Sequence, residues 1–256
     1  MYLSCCIWAL TGEAQENVLL LSRSGFKHID IRAIDFKDQS KPPDLPVSCV
    51  GLSFAIPEGY SLDDTDIDRS IETGRHLRKA LEHAVWANAG CAYVVPDYDN
   101  DADAMARFAG QLVHLADQAE EYDIKVCIEH FPGRSLPTIS TTLSFLKDIG
   151  HPNLYLLLDI GHAQISGENP TKAVETAGDR LGYVHFDDND GENDLHLSLC
   201  DGILTEDVIE RTIKSLEITG YSGGISIELS NTLEDPVGAI TSSRDIIMRA
   251  GNNVVM

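Results

Sequence analysis

The chain has 256 residues, 43% of them hydrophobic and 23% charged, with a net charge of −22. That length and content suit a folded globular chain of one large domain or two small ones and exclude a disordered one. A surface this acidic repels phosphate backbones, which speaks against nucleic acid and anionic membranes as partners; a small sugar stays open, because a local pocket differs from the whole field.

The chain opens on "MYLSCCIWAL". It has no basic n-region and no small-residue cleavage site, so it reads as a first strand at residues 5–10 and not as a signal peptide. "TGEAQEN" follows, without a GxGxxG turn. Residues 28–32 form the second strand candidate. Residues 33–46, "AIDFKDQSKPPDLP", carry three prolines and no helical period, which predicts a loop or a single turn. Further strands are expected at 47–54, 92–96, 125–129, 154–159, 182–186 and 224–228. Helices are expected at 68–90, which opens on acids and closes on Gly90, and at 101–123, which repeats apolar residues at helical spacing. Three more fall at 140–150 (Ser/Thr caps, terminal Gly150), 205–220 (Thr cap, acidic first turn, terminal glycine) and 235–251.

Eight strands alternating with helices imply parallel pairing with right-handed crossovers. The expected fold is a (β/α)8 barrel in a single domain over residues 1–256. A doubly wound open sheet would carry a glycine-rich phosphate turn after its first strand, and neither that nor a Walker A sequence is present. Six cysteines occur without a CxxC pair, several inside apolar runs, and read as buried thiols in a reducing compartment. No apolar run approaches a membrane span. The cytoplasm is the expected location.

Barrel chemistry sits at the C-terminal ends of strands. Four consecutive strand candidates end on Glu129, Asp159, His185 and Glu228. Alternation places Cys127, Tyr183 and Ser226 on the same side as these residues and turns Val126, Ile128, Val184, Ile225 and Ile227 toward the helices. Three carboxylates and one imidazole converging from neighbouring strands suit a divalent cation, Mn²⁺, Mg²⁺, Co²⁺ or Zn²⁺. Carboxylates that close repel one another without a cation. A second group, His162, Asp194 and His196, lies just outside. Its roles stay open between substrate contact, proton donation, a second metal and a solvated loop. The loop that holds the last two, "YVHFDDNDGENDLHL", contains further acids at 187, 188, 190 and 192, several of which are expected to face solvent, with "NDGEN" making the turn.

The sequences "VCIEHF", "LLLDIGHA", "YVHFDDNDGENDLHL" and "GGISIELS" resemble those of the xylose isomerase-like TIM-barrel superfamily of sugar isomerases, epimerases, inosose dehydratase and endonuclease IV nucleases. "SGFKHIDIR" is similar to its second-strand motif, which usually ends in Glu where Asp30 stands here. The resemblance covers nearly the whole chain and is strongest in the C-terminal half. It implies Glu129, Asp159, His185 and Glu228 as metal ligands, with the two glutamates moving a proton on opposite faces of the substrate and His162 contacting a substrate oxygen. His162, Asp194 and His196 also match part of the endonuclease IV site. The histidines that site takes from its third and fourth strands are absent from "GLSFAIPEG" and "CAYVVPDYDN".

The implied reaction is proton abstraction beside a carbonyl through a metal-stabilised ene-diolate. Return of the proton gives epimerisation or aldose–ketose isomerisation; loss of a β-hydroxyl gives dehydration. The expected partner is a small carbohydrate-like molecule, sugar phosphates included, and a homo-oligomer is compatible with the sequence. Trp8 and Phe131 are candidates for an apolar wall under a sugar ring, and Arg32 and Arg134 for anchoring a phosphate or pairing with a surface acid. A non-catalytic metal-binding barrel is the reading from another class.

Overall fold

The computed structural model describes residues 1–36, 41–251 and 253–256. Its strands are β1 (Tyr2–Cys5), β2 (Ile29–Arg32), β3 (Val47–Gly51), β4 (Cys91–Val94), β5 (Lys125–Glu129), β6 (Leu154–Asp159), β7 (Leu181–Phe186) and β8 (Gly224–Ile227). All seven neighbouring pairs are parallel, in the order β1-β8-β7-β6-β5-β4-β3-β2. A parallel bridge between Cys6 and Asp30 joins β1 to β2 and nearly closes the (β/α)8 barrel.

The helices are α1 (Ala14–Arg23), α2 (Ile67–Trp86), α3 (Ala102–Glu120), α4 (Ile139–Ile149), α5 (Ile160–Ile165), α6 (Pro170–Ala177), α7 (Glu206–Ile218) and α8 (Pro236–Ala250). Side chains of Asp66, Asp101, Thr138, Thr205 and Asp235 accept backbone N–H groups at five of their N-termini. α4 ends on Gly150 at φ 70°, a left-handed position that suits glycine. α2 stops at Trp86, short of Gly90, because Asn88 takes the left-handed turn at φ 53°. The loop expected at 33–46 contains a turn after β2; its residues 37–40 lie outside the described residues. No helix among the described residues is long and apolar enough to cross a membrane.

The expected first strand at 5–10 is displaced. β1 pairs with β8 only from Tyr2 to Cys5, and a single bridge from Cys6 to Asp30 of β2 follows before the chain leaves the sheet. Residues Ile7–Ala9 turn into a 3-10 helix across the barrel mouth. One buried amide ties this turn to the segment after it: Asn17 Nδ2 donates to the carbonyls of Ile7, Leu10 and Gly12 at 2.9, 3.2 and 3.0 Å. Likewise β3 ends at Gly51, before a 3-10 turn at Ser53–Ala55, and β4 runs from Cys91 to Val94.

Two apolar layers result. Val126, Ile128, Val184, Ile225 and Ile227 pack in the large layer between sheet and helices. Cys49, Cys91, Tyr93, Cys127, Leu157 and Tyr183 fill the barrel itself. This division matches the alternation expected from the strands. The inner layer is polar toward the mouth, where Ser4, Asp30, His185 and Ser226 are fully buried.

Candidate metal centre

β5 and β6 end on Glu129 and Asp159, His185 is the last residue but one of β7, and Glu228 follows β8 by one residue; all four turn into the barrel mouth. Ligand atoms of Glu129, Asp159, His185 and Glu228 all lie within 4.8 Å of one another, and all four residues are buried. His185 Nδ1 is 2.6 Å from Glu228 Oε2 and 3.6 Å from Glu129 Oε1. Neither contact makes a hydrogen bond: among the described residues, both ring nitrogens of His185, and Asp159 Oδ2, are buried without a hydrogen-bond partner. Buried polar atoms are seldom left so. An oxygen-rich donor set with unpartnered atoms aimed inward fits a divalent cation.

The electrostatics agree. Burial, reinforced by repulsion from Asp187 and Glu129, pushes the Asp159 carboxyl well above the usual carboxylate range. Burial opposes ionisation of Glu228 too, but the His185 ring outweighs it and holds that carboxyl at about 2. Burial also opposes charge on His185, yet Glu228, Asp30 and Glu129 raise its proton affinity well above normal. The site is thus a pocket of excess negative charge that gathers positive charge.

The second group also assembles. His162 Nε2 is 3.4 Å from Asp194 Oδ1, and His196 Nε2 is 3.1 Å from the same oxygen. His196 Nδ1 lies 3.1 Å from Asp187 Oδ2. His162 Nδ1 donates to the His130 carbonyl at 3.0 Å, and its backbone N–H caps α5 on Asp159 Oδ1 at 2.8 Å. Burial works against a charged His162, but Asp159, Asp194 and Glu129 lift its ring to about 10.

The acidic loop is less solvated than its charge suggests. Asp190 and Glu192 are exposed, and Asp190 Oδ1 makes the turn by accepting Glu192 and Asn193 N–H. Asp187 and Asp188 are fully buried. Asp188 accepts backbone N–H groups from Asn189, Gly202 and Leu204 at 2.8–2.9 Å. Asp187 Oδ1 accepts from Gly161 at 3.0 Å, an approach only glycine permits, since a Cβ there would meet that oxygen. Asn189 Oδ1 accepts Leu195 N–H at 2.5 Å and His196 N–H at 2.9 Å, and its Nδ2 donates to Asp187. It thereby holds His196 at φ 47°. We expect Asn189→Ala to cost about 1–3 kcal/mol, since buried donors lose their acceptor. A fall in the urea midpoint at constant slope checks it; an unmoved midpoint would mean that the loop is held by other contacts.

The remaining candidates separate. Trp8 sits on the 3-10 turn, and its Nε1–H donates to Glu228 Oε1 at 2.9 Å. Phe131 lies 4.3 Å from the His162 ring. Trp8, Arg32, Phe131, His162, Asp194 and His196 line one cleft of ≈ 340 Å³ together with Glu129 and Glu228. Arg32 is already paired with Asp35 through both carboxylate oxygens, at 2.9 and 3.3 Å. Arg134 faces a neighbouring chamber of ≈ 330 Å³ beside Asp97, and stacks over Tyr98 and Phe131 at 4.3 and 5.1 Å. The sequence reading passed over His130, whose Nε2 is 3.1 Å from the Asp159 carbonyl; burial, reinforced by His162, holds this ring near 3 and so neutral.

A family profile described as xylose isomerase-like TIM barrel matches residues 17–249. An uncharacterized protein of Methanocaldococcus jannaschii is 34% identical over 167 residues, covering 60% of this chain and 56% of its own length. L-ribulose 3-epimerase of Methylomonas sp. is 27% identical over 199 residues, covering 70% of this chain and 68% of its own. The chain thus spans little more than half of the first relative and about two thirds of the second. In fold, the crystal structure of a D-tagatose 3-epimerase-like protein superposes with a TM-score of 0.79 at 22% identity, over 97% of this chain and 99% of the other. The chain belongs to the xylose isomerase-like TIM-barrel family.

Proposed function

We propose that the chain is a divalent-metal-dependent isomerase or epimerase acting on a sugar, a sugar phosphate or a related hydroxy-carbonyl compound. The observation that carries this reading is the convergence of Glu129, Asp159, His185 and Glu228 at one barrel mouth, with buried donor atoms that no group among the described residues satisfies. A relative that matches 70% of this chain is named as a sugar 3-epimerase, which supports the same class.

In this reading those four residues hold the cation, Mn²⁺, Mg²⁺, Co²⁺ or Zn²⁺. When bound, it supplies Lewis-acid polarisation of the substrate's carbonyl. Glu129 and Glu228 take and return the proton on the neighbouring carbon. His162, held by the His130 carbonyl, offers Nε2 to a substrate oxygen, and Asp194 and His196 orient it. Trp8 and Phe131 wall the substrate's apolar face. Arg32 is neutralised by Asp35, which favours an uncharged sugar over a phosphate ester in the main cleft. Six free thiols suit a reducing, cytoplasmic setting. A dehydratase begins with the same proton step and differs in which bond breaks next.

The test is metal content by mass spectrometry on dialysed protein, followed by solvent-deuterium incorporation into L-ribulose, D-allulose and an inosose. About one ion per chain, with deuterium at the carbon beside the carbonyl, supports the proposal. Two ions per chain draw in His162, Asp194 and His196 as ligands and favour a hydrolytic reading. No metal, and none on addition, overturns it.

A further inference from the structure

We propose that Asp30 is a positioning residue for the metal centre: it holds the His185 ring with Nε2 toward itself, so that Nδ1 is the atom presented to Glu129 and Glu228. The inference rests on reading the centre as a divalent-metal site. Asp30 lies on β2, outside the four strands that carry the ligand set, and is fully buried in the barrel.

Its two oxygens have separate environments. Oδ1 accepts hydroxyl donors from Ser4 at 2.8 Å and Tyr183 at 2.7 Å. These anchors, from strands on either side of the barrel, fix the carboxylate in place. Oδ2 is left facing Cys6 Sγ at 3.9 Å and His185 Nε2 at 3.7 Å. Of the three carboxylates within 4.0 Å of His185 among the described residues, Glu129 and Glu228 come nearest to Nδ1, and Asp30 comes nearest to Nε2. Tyr93 and Tyr183 meet the ring edge-on at 5.4 and 5.7 Å, so it is confined in the plane that joins Asp30 to the ligand set.

The physical role follows from the two ring nitrogens. A neutral imidazole carries one proton, and only the bare nitrogen binds a cation. An acceptor facing Nε2 keeps the proton there and leaves the Nδ1 lone pair free. Histidine ligands ordinarily donate their other N–H to a carboxylate or carbonyl, and losing that partner weakens metal binding about 10- to 100-fold. Asp30→Asn keeps a carbonyl for Ser4 and Tyr183 and turns an amide donor toward Nε2, so the proton is driven to Nδ1.

The experiment is equilibrium binding of Mn²⁺ and Zn²⁺ to the parent and to Asp30→Asn. It is paired with ¹⁵N spectra of histidine-labelled parent protein with and without Zn²⁺. We expect a fall of about 10- to 100-fold in affinity in the variant. In the parent, the ring that responds to Zn²⁺ is expected to carry its proton on Nε2. Equal affinity in both proteins overturns the inference and leaves the metal reading standing. So does a Zn²⁺-responsive ring protonated on Nδ1 in the parent, a result that stands even if the variant does not fold. A parent that takes up neither ion overturns the metal reading and this inference with it.

Discussion

Asp159→Asn is expected to abolish most divalent-metal binding while leaving the metal-free protein at least as stable as the parent. The two effects have opposite signs for one reason. In the metal-free protein Asp159 is fully buried among like charges, and burial together with Asp187 and Glu129 pushes its carboxyl far up. A charge there is a liability that only a cation relieves. Asparagine keeps the Oδ1 carbonyl that caps His162 N–H, and its amide N–H is attracted by the carboxylates that repel Asp159. With metal the order reverses, because an anionic ligand is gone; the loss is at least the roughly 100-fold that removing an outer-shell partner reaches. At an ion concentration of about 100 times the parent Kd, the parent gains about 2.7 kcal/mol of stability and a variant 100-fold weaker gains only about 0.4 kcal/mol. Melting curves with and without Mn²⁺ at that fixed concentration read both effects. A variant that keeps the full metal-induced shift would remove Asp159 from the ligand set.

How far the sequence reaches depends on how local the deciding contact is. Glu129, Asp159 and His185 are legible because each lies at or one residue before the end of an apolar strand of five or six residues, and alternation along a strand is a property of the strand itself. Residues 5–10 are misread because apolarity alone cannot tell a buried strand from the buried 3-10 turn that Ile7–Ala9 form once pairing with β8 ends. Asp187 and Asp188 resemble solvated acids because the N–H groups that bury them, on Gly161, Gly202 and Leu204, lie 14–26 residues away. The pairing of Arg32 with Asp35 was within reach, since it spans three residues. So was α6, where Asn169 caps a helix with Pro170 in its first turn.

Glu228→Gln, read against Glu129→Gln, is expected to separate the two faces of the substrate. Glu228 is held by the Trp8 N–H and the His185 ring and stays ionised through the neutral range, so it needs no prior deprotonation to act as a base. Glutamine retains the shape and the oxygen that Trp8 bonds, but accepts no proton. Measured at saturating Mn²⁺, to offset weaker metal binding, each variant is expected to lose inversion by about 10²–10⁴-fold, the usual contribution of a positioned acid–base group. Exchange with solvent deuterium should divide differently. The epimer whose proton faces Glu129 continues to exchange in Glu228→Gln, because abstraction and return both use the intact side, while the opposite epimer falls silent. Glu129→Gln reverses the assignment. Loss of exchange in both epimers with one variant and in neither with the other would mean that a single carboxylate serves both faces. Loss of exchange in both epimers with both variants, at saturating metal, would leave the glutamates as ligands and place the proton transfer on another group.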